Sequence, residues 1–123
     1  MEKVIETIKK EQGITWHWSL PVPTAGYVVS LGKNFGDIVS ASILDNENEA
    51  GYTLSRFVER NDYALERGNF MGAWIEGKKL YLDIVEIVES ENEAVKLGRE
   101  RDQIAIWAIA NGVEILTGGT GEL

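Results

Sequence analysis

The stretch MGAWIEGKKLYLDIVEIVESENEAVKLGRERDQIAIWAIANGVEILT, residues 71–117, decides the fold of this chain. Apolar side chains alternate in residues 71–75, and a second strand-like run covers residues 80–85. The polar residues between the two runs include Gly77, which suits the positive φ of a tight turn. The pattern predicts a β-hairpin.

A capped helix is predicted after this hairpin, and a second hairpin after the helix. Ser90 and Glu93 have the spacing of a capping box, and the helix should end near Arg101. The apolar run at 103–110 predicts an interior strand, since its apolar residues point to both faces. Asn111-Gly112 is a strong hairpin signal, so residues 113–117 are expected to return as an edge strand.

The two ends of the chain are predicted to lie outside an α+β core at 26–117. Residues 2–12 predict a helix that ends at Gly13, and an extended arm follows up to residue 25. Residues 118–123 carry almost no apolar mass, so we expect a flexible tail.

The tetrapeptide Glu-Asn-Glu-Ala occurs twice, at 47–50 and at 91–94. The first copy follows strands predicted at 26–31 and 37–43, which we expect to form a hairpin like the one before the second copy. One interpretation is a duplicated ββα unit, and the other is that both segments are independently good helix starts. Either way the predicted class is α+β, an antiparallel sheet of hairpins with two or three helices packed mainly on one face.

Composition and charge restrict the class of function. A chain of 123 residues is expected to form one domain with a sizeable core. Its net charge of −8 disfavours binding to nucleic acid or to anionic membranes, so a basic protein is the expected partner. The sequence contains no apolar run of transmembrane length, and its first residues do not have the pattern of a signal peptide. We therefore expect a cytoplasmic location in the host cell.

Neither a metal nor a cofactor is predicted. The chain has no cysteine and one histidine, and its acidic residues do not have the spacing of a calcium loop. The Gly-Gly-Thr-Gly sequence at 118–121 lacks the Lys-Ser/Thr pair of a phosphate-binding loop.

The C-terminal half resembles a known group of sequences. The shared pattern consists of Gly72-Ala73-Trp74, Leu80-Tyr81-Leu82-Asp83, Glu93-Ala94 and the run from Gly98 to Trp107. It is similar to small uncharacterised proteins encoded by bacteriophages and mobile elements, especially those of actinobacteria. That group has no assigned activity, cofactor or catalytic residue, so the resemblance implies only the context of an accessory protein.

Asp83 is the first candidate for a ligand site, because it interrupts an otherwise apolar strand. A buried carboxylate needs partners and can have a raised pKa. Arg99 or Arg101 could supply an ion pair, and Arg101 with Gln103 could bind a ligand through paired hydrogen bonds. The alternative is that these residues form a structural ion pair and a solvated helix end.

His17, the only histidine, lies between Trp16 and Trp18 in a predicted extended segment. It could line a ligand pocket, or it could be an ordinary half-buried strand residue. No nucleophile with a neighbouring base is evident, so the sequence gives no catalytic residue.

An acidic cluster is the candidate surface for a partner, and it comprises Glu86, Glu89, Glu91 and Glu93. A second acidic set, Asp45, Glu47 and Glu49, lies at the start of the other Glu-Asn-Glu-Ala helix. Two such edges could imitate the phosphate rows of DNA and block a basic DNA-binding protein. The alternative is that they serve solubility and match the helix dipoles.

Three functional hypotheses remain open at this point. The first is a non-enzymatic interaction module of phage or mobile-element origin, acting as an inhibitor of a host protein and pairing as a homodimer through an exposed strand edge. The second is a small-molecule-binding protein or enzyme with a pocket around Asp83 and Arg101. The third is a structural phage component.

Overall fold

The computed structural model describes residues 1–122, which form one seven-stranded antiparallel sheet and four α-helices. The predicted α+β class is therefore confirmed. The helices are α1 (Glu2–Glu11), α2 (Glu47–Arg60), α3 (Asp62–Glu66) and α4 (Glu91–Glu100). The strands are β1 (Gly13–Trp16), β2 (Tyr27–Ser30), β3 (Asp37–Ser40), β4 (Phe70–Glu76), β5 (Lys79–Val88), β6 (Ala105–Ala108) and β7 (Val113–Leu116).

The ten-residue strand β5 organises the sheet. The strand order is β1-β4-β5-β2-β6-β7, and β3 also pairs with β5. Along one edge β5 pairs with β4 in the predicted hairpin, and along its other edge it pairs with β3 and then with β2. The predicted second hairpin is also present, since β6 pairs with β7 and β7 lies at the edge of the sheet.

The hairpin predicted from residues 26–31 and 37–43 is wrong. β2 and β3 do not pair with each other but follow one another along β5, where β2 faces residues 85–88 and β3 faces residues 79–82. Between them six residues, 31–36, stand opposite Asp83 and Ile84 of β5 and contain a short 3-10 turn. A glycine-flanked turn looks the same in a sequence whether it closes a hairpin or forms a bulge.

The two Glu-Asn-Glu-Ala segments therefore follow different topologies, and only the second follows a hairpin. Both helix starts nevertheless form as predicted. The side chain of Asn46 accepts a hydrogen bond from the Glu49 amide at 3.0 Å, and the Ser90 hydroxyl accepts one from the Glu93 amide at 3.3 Å. The structure favours the interpretation that these are two independent helix starts.

One core joins α1, α2 and α3 to the sheet. Amphipathic α1 buries Val4, Ile5 and Ile8. From the sheet the core takes alternate residues of β4 and β5, namely Met71, Ala73, Leu80, Leu82 and Ile84. Since alternate residues of a strand share a face, these three helices cover a single face of the sheet.

Helix α4 lies on that same face. Ala94 of α4 packs with Val29 and Ile106 in a second core. Val29 pairs with Glu86 of β5, which points to the same side as Ile84. The prediction that the helices pack mainly on one face is therefore confirmed, and we call the opposite side of the sheet the helix-free face.

The two chain ends differ in detail from the sequence expectations. The left-handed residue that ends α1 is Gln12, with φ 67°, and Gly13 instead begins β1, where an added Cβ would lie 3.0 Å from the Ala73 carbonyl oxygen. At the other end, the amides of Thr120 and Glu122 donate to the Asp102 carboxylate at 2.7 and 3.0 Å.

Residues 120–122 of the predicted tail thus make polar contacts with Asp102, which do not depend on apolar side chains. The last tail residue, Leu123, lies outside the described residues. Within residues 1–122, no helix is both long and apolar enough to cross a membrane.

Two glycines in helices provide a test of how α4 packs. A Cβ at Gly98 would lie 2.8 Å from Thr117 Cγ2 and 3.1 Å from Ile106 Cγ2, whereas a Cβ at Gly51 in α2 would meet nothing within 4 Å. Gly51→Ala should raise the free energy of unfolding by about 0.5–1 kcal/mol, because alanine is the better helix former. Gly98→Ala should lower it by about 1–3 kcal/mol through overpacking, despite the same gain in propensity.

Urea denaturation followed by circular dichroism measures both variants. Equal stabilisation by the two substitutions would contradict the close packing of α4 against Ile106 and Thr117.

Candidate binding site on the helix-free face

A cavity of about 600 Å³ opens on the helix-free face. It exists because small side chains occupy the middle of this face, and among the residues that line it are Thr15, Ser30, Gly72 and Ala105. Thr15, Gly72 and Asp83 are in register across β1, β4 and β5. A cavity of this size is typical of sites for small ligands.

Two tryptophans bound the cavity along the direction of β5. Trp74 pairs with Tyr81, and its ring stacks on the Tyr81 ring with centroids 5.7 Å apart and planes 7° apart. Trp107 pairs with Val28, which in turn pairs with Ile87. Asp83 therefore lies between the levels of the two tryptophans, which are 39% and 43% exposed.

Among the described residues that line the cavity, Asp83 is the one carboxylate that a central strand of the sheet contributes. Burial raises its pKa to about 6, against the opposing effects of hydrogen bonds from the Ser30 hydroxyl and the Ile84 amide. The Ile84 amide donates to Asp83 Oδ1 at 2.8 Å. At pH 7 the carboxylate is largely ionised, and neither ion pair recorded within residues 1–122 includes it.

The expected ion pair between Asp83 and Arg99 or Arg101 is wrong. Arg101 pairs with Glu86 at 2.8 Å and donates to the Ser30 carbonyl oxygen at 3.0 Å, while Arg99 donates to the Thr117 carbonyl oxygen at 2.8 Å. The reason is strand alternation, because Glu86 points to the face that α4 covers and Asp83 points to the other.

The structure brings two of the predicted ligand residues together. Gln103 lines the same cavity as Asp83, and its side chain also donates to the Arg101 carbonyl oxygen at 3.1 Å. Arg101 acts on the cavity indirectly, since it holds the backbone of Ser30.

His17 lies away from the cavity and is only 8% exposed. Its Nδ1 accepts hydrogen bonds from the amides of Ser19 and Leu20, at 3.0 and 3.1 Å. Its Nε2 lies 2.8 Å from the Leu65 carbonyl oxygen and can donate to it. These contacts fasten the chain after β1 to the end of α3.

The predicted acidic cluster divides into two environments. Glu86 is half-buried in its ion pair with Arg101. Glu89, Glu91 and Glu93 are exposed, and Glu91 also accepts a 3.4 Å hydrogen bond from the Tyr27 hydroxyl. A role for this cluster in partner binding stays a prediction.

The sequence did not reveal the tryptophans that form the walls of the cavity or the glutamates at its opening. Trp74, Trp107 and Ser30 were not among the candidate site residues. Glu11 at the end of α1 and Glu114 on β7 also line the cavity, although they are far apart in sequence. Side chains alternate between faces along β4, so Trp74 lies on the same face as Gly72. Trp107 reaches the same cavity only because β2 lies between β5 and β6 in the sheet.

This arrangement suits the binding of a cation. Of the described residues that line the cavity, none is lysine or arginine. Throughout residues 1–122, no group of three or more His, Cys, Asp or Glu side chains is placed to hold a metal ion. The available chemistry is the half-buried Asp83 carboxylate, the exposed carboxylates of Glu11 and Glu114, hydroxyl and amide groups, and two aromatic walls.

Comparison of this chain with protein-family models, with curated proteins and with solved structures finds no match.

The raised pKa of Asp83 predicts a pH-dependent stability. Because the folded-state pKa of about 6 exceeds the ordinary aspartate pKa of 3.8, the folded state binds more protons between these values, and stability falls as pH rises through this window. At pH 7.5, Asp83→Asn should be more stable than the wild type by about 1–3 kcal/mol. Glu89→Gln removes an equal charge from an exposed position and is the matched control.

Denaturation of the three proteins at intervals from pH 3.5 to pH 8 measures this difference. Glu11 and Glu114 face the same cavity and are present in all three, so the wild-type minus Asp83→Asn difference isolates Asp83. An Asp83→Asn protein no more stable than the wild type at pH 7.5 would contradict the burial of an ionised carboxylate.

Proposed function

We propose that this protein is a non-enzymatic binding module that receives a positively charged group of its ligand in the cavity of the helix-free face. The observation that carries the proposal is Asp83, a half-buried carboxylate between two tryptophans with no cation of the described chain beside it. A bound cation would supply the partner that burial of this carboxylate requires.

The charge around the cavity supports a cationic ligand. Glu11 and Glu114 approach from different sides, so that three carboxylates contribute to one opening. Glu11 and Glu114 are both exposed, and they attract cations at longer range. The net charge of the chain, −8, acts in the same direction.

The tryptophans add a second source of affinity for cations. An indole ring is the best aromatic partner of a cation, and such contacts contribute about 0.5–2 kcal/mol. Trp74 is held in place by its stacking on Tyr81, so little side-chain entropy remains to be lost when a ligand binds.

The hydrogen bonds around Asp83 suit a carboxylate that accepts a cation. The Ser30 hydroxyl and the Ile84 amide donate to it, and hydrogen bonds of this kind favour the ionised form. The His17 ring is bonded elsewhere through both of its nitrogens.

A second candidate function keeps the acidic cluster as the partner surface, as an inhibitor of a basic host protein in a phage or mobile-element context. The observation in its favour is the exposure of Glu89 and Glu93. Charge reversal at these two positions would abolish binding of such a partner and would leave the cavity unaffected, so the two candidates are separable.

Benzamidine and its neutral isostere benzamide test the cation site. In a two-dimensional NMR titration at pH 7, benzamidine should bind at least tenfold more tightly than benzamide, a difference of about 1.4 kcal/mol. The indole signals of Trp74 and Trp107 should shift, while those of Trp16 and Trp18 should not, since the first pair lines the cavity. Trp74→Phe and Trp107→Phe assign these signals.

The Asp83→Asn variant should lose this preference, and Glu89→Gln should retain it. Equal affinities for the two compounds in the wild type, or an unchanged preference in Asp83→Asn, would remove the proposal.

Affinity for benzamidine should also decrease as the pH is lowered. With the pKa of Asp83 at about 6, the ionised fraction falls roughly tenfold between pH 7 and pH 5, and affinity should fall by a similar factor. Glu11→Gln and Glu114→Gln are the controls, because these residues are the other acidic groups facing the cavity. A pH profile that persists in Asp83→Asn would assign the effect to another group.

A further inference from the structure

We infer that the cationic group belongs to a polypeptide, so that the helix-free face docks a basic segment of a partner protein whose lysine or arginine side chain enters the cavity while neighbouring apolar side chains cover the sheet around it. This inference rests on the proposed cation-binding function and names the class of ligand.

Exposed apolar residues extend beyond the cavity on the same face. Ile38 pairs with Tyr81, which pairs with Trp74, and Leu116 pairs with Ala105, so register assigns Ile38 and Leu116 to the helix-free face. Ile38 is 56% exposed and Leu116 is 74% exposed. With the two tryptophans they form what we call the apolar rim, which is contributed by β3, β4, β6 and β7.

The width of the apolar rim argues against a small molecule as the whole ligand. Ile38 and Leu116 do not line the cavity, so a compound that fills the cavity would leave both uncovered. Contiguous exposed apolar surface marks a site of protein interaction, and aromatic residues are enriched at such sites. A polypeptide can fill the cavity with one side chain and cover the rim with its neighbours.

Charge selects which polypeptide fits. The carboxylates Glu11, Asp83 and Glu114 require a basic segment, and they disfavour a phosphate backbone or an anionic membrane surface. They also disfavour a second copy of this chain. A two-fold dimer through this face would place the same three carboxylates opposite each other, since both subunits of such a dimer use the same patch.

Four short peptides and two rim variants test the inference. The first three probes are acetylated, amidated pentapeptides with a central arginine. In the first, all other residues are serine; in the second, leucine occupies the two positions next to the arginine; in the third, leucine occupies the two terminal positions. The fourth probe is the tightest binder of these with its central arginine replaced by citrulline, which is neutral and nearly isosteric. Affinities are measured by NMR titration beside benzamidine.

At least one leucine-flanked peptide should bind tenfold or more tightly than both benzamidine and the serine-flanked peptide. The citrulline peptide should lose at least tenfold. Ile38→Ser and Leu116→Ser should each weaken the leucine-flanked peptide several-fold and leave benzamidine affinity unchanged. Both residues are largely exposed, so these variants are expected to fold.

The outcomes separate this inference from the proposed function. If benzamidine binds but no leucine-flanked peptide binds more tightly, the cation site stands and the polypeptide partner is overturned. If benzamidine fails as well, both are overturned. If the protein is a dimer that Leu116→Ser converts to a monomer, the apolar rim is a self-interface and the inference is overturned.

Discussion

The alternation of side chains along β5 is the constraint on which the rest of the structure depends. Leu80, Leu82 and Ile84 point to one face, where α1, α2 and α3 cover them, and Asp83 between them points to the other. A slip of one residue in the pairing of β5 would exchange the two sets, burying a carboxylate under the helices and exposing the core. Pairing on both edges over most of its length makes such a slip costly.

One-sided packing also explains how a site arises in a chain of this size. With the helices on a single face, small residues such as Gly72 can occupy the other without leaving a void in the core. Asp83 then retains enough contact with solvent to ionise near neutral pH, yet its burial makes that charged state unfavourable. The free protein thus carries an electrostatic cost that a bound cation relieves, which is an instance of the trade-off between function and stability.

Features governed by residues close in sequence were predictable, and those governed by distant pairing were not. The β4–β5 hairpin and the Asn46 and Ser90 caps follow from local patterns, and all form. The path of β2 and β3 depends on β5, about 50 residues later in the chain, which local turn chemistry cannot reveal. Asp83 could be singled out as an unusual residue of an apolar strand, but its neighbours Trp107 and Ser30 reach it only through the position of β2 in the sheet.

The most direct test of this account is the titration of the Asp83 side-chain carboxyl carbon by NMR, with and without benzamidine. The account predicts a pKa of about 6 in the free protein, raised by burial, and a clear decrease in that pKa when benzamidine is bound, because a cation favours the ionised carboxylate. A pKa near the ordinary aspartate value of 3.8 in the free protein, or a raised pKa that benzamidine leaves unchanged, would contradict it.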